Sequence, residues 1–358
     1  MVARTTAPPS RAVTLVSGDG IGPEVVGAAC RVLAAAGSRV TWERHDLGVA
    51  AGTDVLPEST LESIRRTRVA LKGPVSLPPG SPSVNVALKQ QLDLSLQVRP
   101  SRSLPGVRGL HADVDLVVMR ETTEDFYAGA AFAAGSADAD ELLRWLSGKG
   151  RPLPPGSAVN IKATSEPGAR RMLEASFGYA RRHGRRRVTV VHKTAVLRCT
   201  DGLFRAVARD VAAGYPDLEF DELAVDLAAA RIAQRPSELD VLVMPGQYGD
   251  ILSDVAAAVT GGIGIAPGAT YGQEIAIFEA VHGTAPHLAG QDRANPVAVI
   301  LSGALLLRHI GQHEAASRVE LAVADLTRDG RFLTYDLASR HPAVGTEAAA
   351  EELLRLLR

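Results

Sequence analysis

The sequence predicts an α/β protein whose sheet is covered by helices, and three observations predict it. Strand-like runs of β-branched residues alternate with alanine-rich helical patterns at 12–17 then 23–36, at 187–191 then 201–213, and at 241–244 then 250–259. That alternation is what helices laid on a sheet require. Glycine- and proline-rich stretches at 73–82 and 148–156 interrupt it and read as loops or lobe junctions. With 358 residues, 46% of them hydrophobic, the chain can bury a large core, in two lobes rather than one. No internal repeat of fixed period is visible.

Composition excludes several classes of function. A net charge of −1 gives no reason to expect nucleic acid or an acidic membrane as partner, and no apolar run is long enough to span a bilayer. The lead, 1–10, carries one Arg and two prolines but no apolar h-region, so it reads as a short disordered lead of a cytoplasmic protein rather than a signal peptide. Cys30 and Cys199 have neither metal-ligand nor redox spacing and are expected to be buried small hydrophobes. The cluster Arg181, Arg182, Arg185, Arg186 and Arg187 reads as a solvated helix end. Lysine appears only at Lys72, Lys89, Lys149, Lys162 and Lys193, so a lysine inside a motif carries weight.

The first strand runs into Gly18-Asp19-Gly20-Ile21-Gly22-Pro23-Glu24, where Pro23 suits the first turn of the next helix. Pro23 stands where a dinucleotide fingerprint needs its third glycine, so the ordinary Rossmann reading fails. The apolar strand at 115–119 ends in Arg120-Glu121-Thr122-Thr123-Glu124-Asp125, with Tyr127 beyond. Burial followed by a burst of charge marks a site edge. Arg120, like Arg99 before Pro100, offers a planar fork for a carboxylate, and Tyr127 offers a proton. His192-Lys193-Thr194-Ala195 ends a strand, the place where ligands gather in open α/β sheets; beside a divalent cation Lys193 could act as a base. In Tyr248-Gly249-Asp250-Ile251-Leu252-Ser253-Asp254 the aspartates are four apart, on one helix face, and their hard oxygens suit Mg²⁺ or Mn²⁺. The stretch 278–286, with Gly290 and Asn295-Pro296, is expected to be an irregular loop that lets backbone approach a flat or phosphorylated ligand.

Together these segments resemble the β-decarboxylating dehydrogenases, the family of isocitrate, isopropylmalate, homoisocitrate and tartrate dehydrogenases. GDGIGPE, LKGP, VRP, RETTEDFYAG, HK with TDGLF, YGDILSD, FEAVHGTAP and ANP follow one another in the family's order from about Val13 to Gly311. The residues after Tyr127 and the spelling HGTAP with GQD behind it are similar to the bacterial NADP-type isocitrate dehydrogenases. The resemblance implies a two-lobe fold around a central mixed sheet. Its large domain would be 1–94 with 261–358, its small domain 95–124 with 166–260, and 125–165 a clasp-like dimerisation segment. It implies a homodimer with shared active sites, in which Asp250 and Asp254 bind the metal while Asp226 and Lys193 reach in from the second subunit. Arg99 and Arg120 would hold substrate carboxylates and Tyr127 would deliver a proton. Glu279, His282, Gly283, Thr284, Ala285, His287, Asn295 and Tyr335 would meet the cofactor.

The implied reaction is oxidative decarboxylation of a 3-carboxy-2-hydroxy acid. Ser83 and Asn85 stand where isocitrate enzymes bind a polar terminal group, but the arginine that follows in those enzymes is Lys89 here. Family asparagines are replaced by Thr122, Ala195, Gly246 with Gln247, and Thr270. Lysine is a point charge rather than a fork, so an isocitrate-like substrate with a phosphonate terminus is expected beside isocitrate itself. His287 and Leu288 replace the acidic residue of NAD-using relatives, and Tyr335 with Ser339 and Arg340 leans toward NADP over NAD. Rival readings are a homoisocitrate, isopropylmalate or tartrate enzyme, the last oxidising without decarboxylation, and a silent regulatory subunit. Retention of Tyr127, Lys193, Asp226, Asp250 and Asp254 argues against silence.

Overall fold

A computed structural model describes residues 10–52, 56–77 and 83–358. The lead at 1–9, residues 53–55 and the second half of the 73–82 stretch, 78–82, lie outside the described residues. In chain order the elements begin β1 (Arg11–Val16), α1 (Gly22–Ala35), β2 (Val40–His45), α2 (Glu58–Thr67), β3 (Val69–Lys72), α3 (Val84–Gln91), β4 (Leu96–Arg102) and β5 (Asp115–Glu121). The middle of the chain forms β6 (Ala131–Phe132), α4 (Ala137–Gly148), β7 (Val159–Asn160), α5 (Glu166–Arg182), β8 (Arg187–His192), α6 (Thr200–Ala213), β9 (Glu219–Ala224) and α7 (Val225–Gln234). The remainder is β10 (Val241–Met244), α8 (Gly246–Thr260), β11 (Pro267–Tyr271), β12 (Ala276–Ala280), α9 (Val297–His309), α10 (His313–Asp329) and α11 (Thr346–Leu356).

Ten strands form one mixed sheet in the order β2-β1-β3-β12-β11-β4-β5-β10-β8-β9. β2, β1, β3 and β12 are parallel, as are β5, β10, β8 and β9. β11 runs antiparallel to both β12 and β4, and β4 antiparallel to β5, so the two parallel blocks point in opposite directions. Each block is buried on both faces, which is why β10 reads as an uninterrupted apolar run, Val-Leu-Val-Met, with every residue inaccessible. Val13 and Leu15 of β1 pack into a core with α1, α9 and α10, while Val16 faces a separate cluster with Leu61 and Leu88. The second block has its own pair of cores, one centred on Phe177 and Phe204 and the other on Leu242 and Leu252. Separate cores on one continuous sheet are the physical content of the two lobes.

The segment 125–165 carries the short antiparallel pair β6–β7 with α4 between its strands. Within α4 only Ala139 and Leu143 are buried, and Trp145 is exposed. Among the described residues no helix is long and apolar enough to cross a membrane. Two expectations need correction. Phe278, Glu279 and Ala280 belong to β12, because they pair in register with β3 and β11; the irregular loop starts only at Val281. Cys30 packs against the core, and burial pushes its thiol up to about 11, but Cys199 is exposed, since it sits in the turn that enters α6.

Candidate active site

One wall of the site is written on the sheet. Lys72, the last residue of β3, pairs in register with Glu279 of β12. Gln97 and Arg99 share a face of β4, and Gln97 stands opposite Arg120 of β5. Lys72 Nζ lies 2.6 Å from Glu279 and donates to the Gly73 carbonyl at 3.1 Å. Lys89, carried by α3, brings a second ammonium to 4.0 Å from the same carboxylate. Gln97 donates to Glu279 at 3.5 Å and accepts from Arg120 Nε at 2.8 Å, which links the two ends of the wall.

Burial pushes the Glu279 carboxyl up, but the charges of Lys72, Lys89 and Arg99 outweigh it and hold it down at about 2. Burial drives Lys89 the opposite way, to about 8, with Arg120, Arg99 and Lys72 adding to the effect and Glu279 opposing it. Glu279 is already taken at short range by Lys72, so Lys89 is the less compensated ammonium. Ser83 caps α3 by accepting from the Val86 N–H, and the buried Asn85 Oδ1 and Thr270 Oγ1 beside Lys89 have no hydrogen-bond partner among the described residues.

The facing wall is the first three turns of α8. Asp250 and Asp254 project from it one turn apart, and Arg99 Nη1 reaches Ser253 Oγ at 2.7 Å, Asp250 at 3.2 Å and Asp254 at 3.3 Å. Arg120 Nη1 lies 2.9 Å from Asp250 and donates to Tyr127 OH at 3.1 Å; Tyr127 OH in turn donates to Asp250 Oδ2 at 2.9 Å. This approach depends on small residues. A Cβ at Gly246 would meet the Tyr127 ring at 2.9 Å, and one at Gly249 would collide with the Arg120 side chain. Burial raises the Tyr127 hydroxyl, Arg120 opposing and Asp250 reinforcing. Asp250 is partly buried yet held low by Arg120 and Arg99, whereas Asp254 is raised by burial and by the neighbouring Asp250 charge. Two guanidiniums and two ammoniums thus face three carboxylates, an arrangement that can hold a polyanion and leaves one helix face for a hard cation.

Lys193 and Asp226 stand apart from this cluster. They pair with each other at 2.8 Å, and the Asp226 carboxyl is held low by that contact. Among the described residues no three His, Cys, Asp or Glu side chains gather where they could hold a metal ion. One chain therefore brings Asp250, Asp254, Arg99, Arg120, Tyr127, Lys89 and Glu279 together, but not Lys193 and Asp226.

The loop after β12 is held by the opening turn of the chain. The Ile21 N–H donates to the Thr284 carbonyl at 2.9 Å, and Gly20, at φ +61, packs so closely on Thr284 that a Cβ there would strike its carbonyl. Asp19 fixes the same turn to its neighbours, accepting from the backbone N–H groups of Ser76, Ala50 and Val49 at 2.6, 2.7 and 3.1 Å. The glycine-rich motif therefore clamps a loop. Ala285 adopts φ 36, Gly283 has open space around it, and His282 Nδ1 donates to the Gly283 carbonyl at 3.0 Å while burial lowers its imidazole. Asn295 is largely occupied by the fold, bonding Asp336 at 2.9 Å and capping the Val297 N–H at 3.0 Å. Exposed Tyr335 lies under Arg293 at 5.2 Å, and the His287 carbonyl accepts from Gln291. Sequence reasoning missed Lys72, Gln97 and Ser253 as wall residues. The scarcity of lysine pointed to Lys72, and the YGDILSD motif contains Ser253; nothing local pointed to Gln97.

The sequence profile described as isocitrate/isopropylmalate dehydrogenase matches residues 12–353. The chain is 40% identical over 332 residues to a probable mitochondrial NAD isocitrate dehydrogenase subunit alpha of Caenorhabditis elegans, covering 91% of this chain and 87% of that one. It is 39% identical over 331 residues to the human mitochondrial NAD isocitrate dehydrogenase subunit alpha, covering 91% and 85%. The crystal structure of isocitrate dehydrogenase from Methylococcus capsulatus superposes with a TM-score of 0.89 at 42% identity, over 97% of this chain and 99% of that one. The expected affinity to NADP-type enzymes is not confirmed by these relatives, two of which are named for NAD.

Proposed function

The chain belongs to the isocitrate/isopropylmalate dehydrogenase family and is a decarboxylating, nicotinamide-dependent dehydrogenase, and from that premise we propose that it oxidises an isocitrate-like 3-carboxy-2-hydroxy acid with an anionic terminus. The carrying observation is the buried cationic wall, in which Lys89 is a point charge left under-compensated by Glu279. It supports a compact terminal anion, a phosphonate as well as the carboxylate of isocitrate.

Asp250 and Asp254 offer partly exposed oxygen ligands one helical turn apart, a donor set that fits Mg²⁺ or Mn²⁺ once Asp226 of a second copy completes it. When bound, that cation would polarise the C2 oxygen and the nicotinamide would accept the C2 hydride. Arg99 and Arg120 orient the substrate carboxylates, and Lys193 of a second copy takes the hydroxyl proton. Once C2 is a carbonyl, the bond from C3 to its carboxylate breaks, carbon dioxide leaves and the electron pair moves toward C2. Tyr127, poised by Arg120 and Asp250, gives its proton to C3. We read the assembly as a homodimer, because Lys193 and Asp226 do not meet the other site residues within one chain. Tyr335 with Arg293 above it, and His287, put no carboxylate of their own at the adenosine end, which supports NADP as a cofactor alongside NAD.

The test is reduction of NAD⁺ and NADP⁺ by the purified chain with Mg²⁺ or Mn²⁺, comparing isocitrate with a phosphonomethyl malate of matching length. Carbon dioxide is measured against reduced cofactor. Equimolar release with either substrate is expected. Reduced cofactor without carbon dioxide, or no turnover with any 3-carboxy-2-hydroxy acid, overturns the reading.

A further inference from the structure

We propose that Lys162, Asp125, Asp201 and Tyr248 form a buried positioning unit that locks Lys193 to the segment carrying Tyr127 and Asp250, so that one cluster serves two active sites at once. None of the four is placed at the reacting atoms. Lys162 Nζ lies 2.9 Å from Asp201 and 3.6 Å from Asp125, and 4.6 Å above the Tyr248 ring. Asp201 is completely inaccessible, and its Oδ2 accepts from the Lys193 backbone N–H at 2.7 Å and from Tyr248 OH at 3.1 Å. Asp125 Oδ2 accepts from the Gln247 N–H at 3.0 Å, while its own N–H donates to the Ala163 carbonyl at 2.9 Å.

Each arm ends at, or within three residues of, a proposed site residue: Lys193 itself, Tyr127 two beyond Asp125, and Asp250 two beyond Tyr248. The cluster is not the only anchor of its elements. α6 and α8 are already anchored by Phe204, Val207, Leu252 and Ala256 in separate apolar cores. Burying two carboxylates against one ammonium is costly, and Asp125 also sits at φ +59, outside the normal range for a side-chain-bearing residue. Lys162 Nζ, which makes ion pairs but no hydrogen bond among the described residues, supplies the charge that keeps both carboxylates in place. The hydrogen bonds that Asp201 accepts from the Lys193 N–H and Tyr248 OH, and that Asp125 accepts from the Gln247 N–H, add direction that apolar packing lacks, since they hold only at set angles. Here that direction is spent across the β8–α6 turn, the β5 exit and the start of α8, the three segments that must keep register.

The inference rests on the shared-site reading above: Lys193 would act in the second subunit's site, and Tyr127 and Asp250 in their own. A defect in the unit should therefore damage both sites of a dimer. Lys162→Met and wild-type chains are co-expressed under two affinity tags, and the hybrid is isolated. The expected hybrid kcat is below about a tenth of wild type, in line with the roughly hundredfold cost of a one-ångström misplacement, with the cofactor KM within about twofold. Lys162→Arg should recover most of the rate. Tyr248→Phe, which removes one hydrogen bond and keeps the ion pair, is run in the same hybrid in case Lys162→Met does not fold. A hybrid with half the wild-type kcat would mean that the unit serves one site only, and overturns the proposal, as does failure of Lys162→Arg to recover. Inactivity of the wild type, or activity as a monomer, instead removes the shared-site reading and the proposal with it, and is seen before any variant is made.

Discussion

The cationic wall and the Lys193–Asp226 pair are built to opposite specifications. The wall is buried, cross-linked by charge and complete within one chain: Lys72, Lys89, Gln97, Arg99 and Arg120 hold three carboxylates in fixed places. The pair is partly open to solvent, and among the described residues its two side chains pair with each other. On the shared-site proposal, the substrate-holding wall and the proton donor Tyr127 are preassembled in one chain, while the base Lys193 and the third carboxylate Asp226 would serve a second copy.

Complementation between two inactive chains tests this division most directly. Lys193→Met and Asp250→Asn should each lose about 10²- to 10⁴-fold in kcat, the range of a missing base or comparable group. Mixed together, they should regain about a quarter of wild-type activity, because each hybrid contains one intact site. No recovery on mixing would place Lys193 in its own chain's site. Next in size is Glu279→Gln, which strips the buried ammoniums of their carboxylate; denaturant titration should show about 3–5 kcal/mol lost. Asp226→Asn, on the exposed pair, should leave the unfolding midpoint unchanged.

A smaller effect is expected from Gly20→Ala, which would press on the Thr284 carbonyl and displace the loop. The cofactor KM should rise about tenfold with substrate KM unaltered, a split of roughly the strain energy of one residue at positive φ. Smallest is a pH effect. Lys89 loses its proton near pH 8 in the folded chain, against 10.5 as its ordinary value. Between these the unfolded chain holds more protons, so the contribution of Lys89 to stability rises with pH while the anion loses its partner. Substrate KM should increase about fourfold from pH 7 to pH 8.5 and stay flat in Lys89→Arg, whose guanidinium does not titrate there.

Much of the fold was legible because strand and helix periods are local, and so were Asp250 with Asp254, one turn apart, and Arg120 at a strand end. Glu279 was misplaced into a loop because glycines and prolines follow it. Its strand character comes from pairing with Lys72, some two hundred residues earlier in the chain. Gln97 and Lys162 carry no motif; the sheet order brings Glu279 and Arg120 to Gln97, and the packing of α6 and α8 brings Asp201 and Tyr248 to Lys162. The GDGIGPE turn shows in its spacing that it is no dinucleotide fingerprint, yet its hold on Thr284 depends on an approach that no spacing rule encodes.

The position of β12 has a consequence for synthesis. β1, β2 and β3 are made within the first 72 residues, but join the rest of the sheet only through β12, whose last residue is Ala280. While the intervening two hundred residues emerge, β3 presents an apolar edge with no neighbour on that side, the kind of surface that attracts other nascent chains. The half of the chain that follows β3 can assemble around its own cores first. A ribosome-tethered chain halted before residue 276 should therefore hold a folded second half and a first half still open to proteolysis and to chaperones.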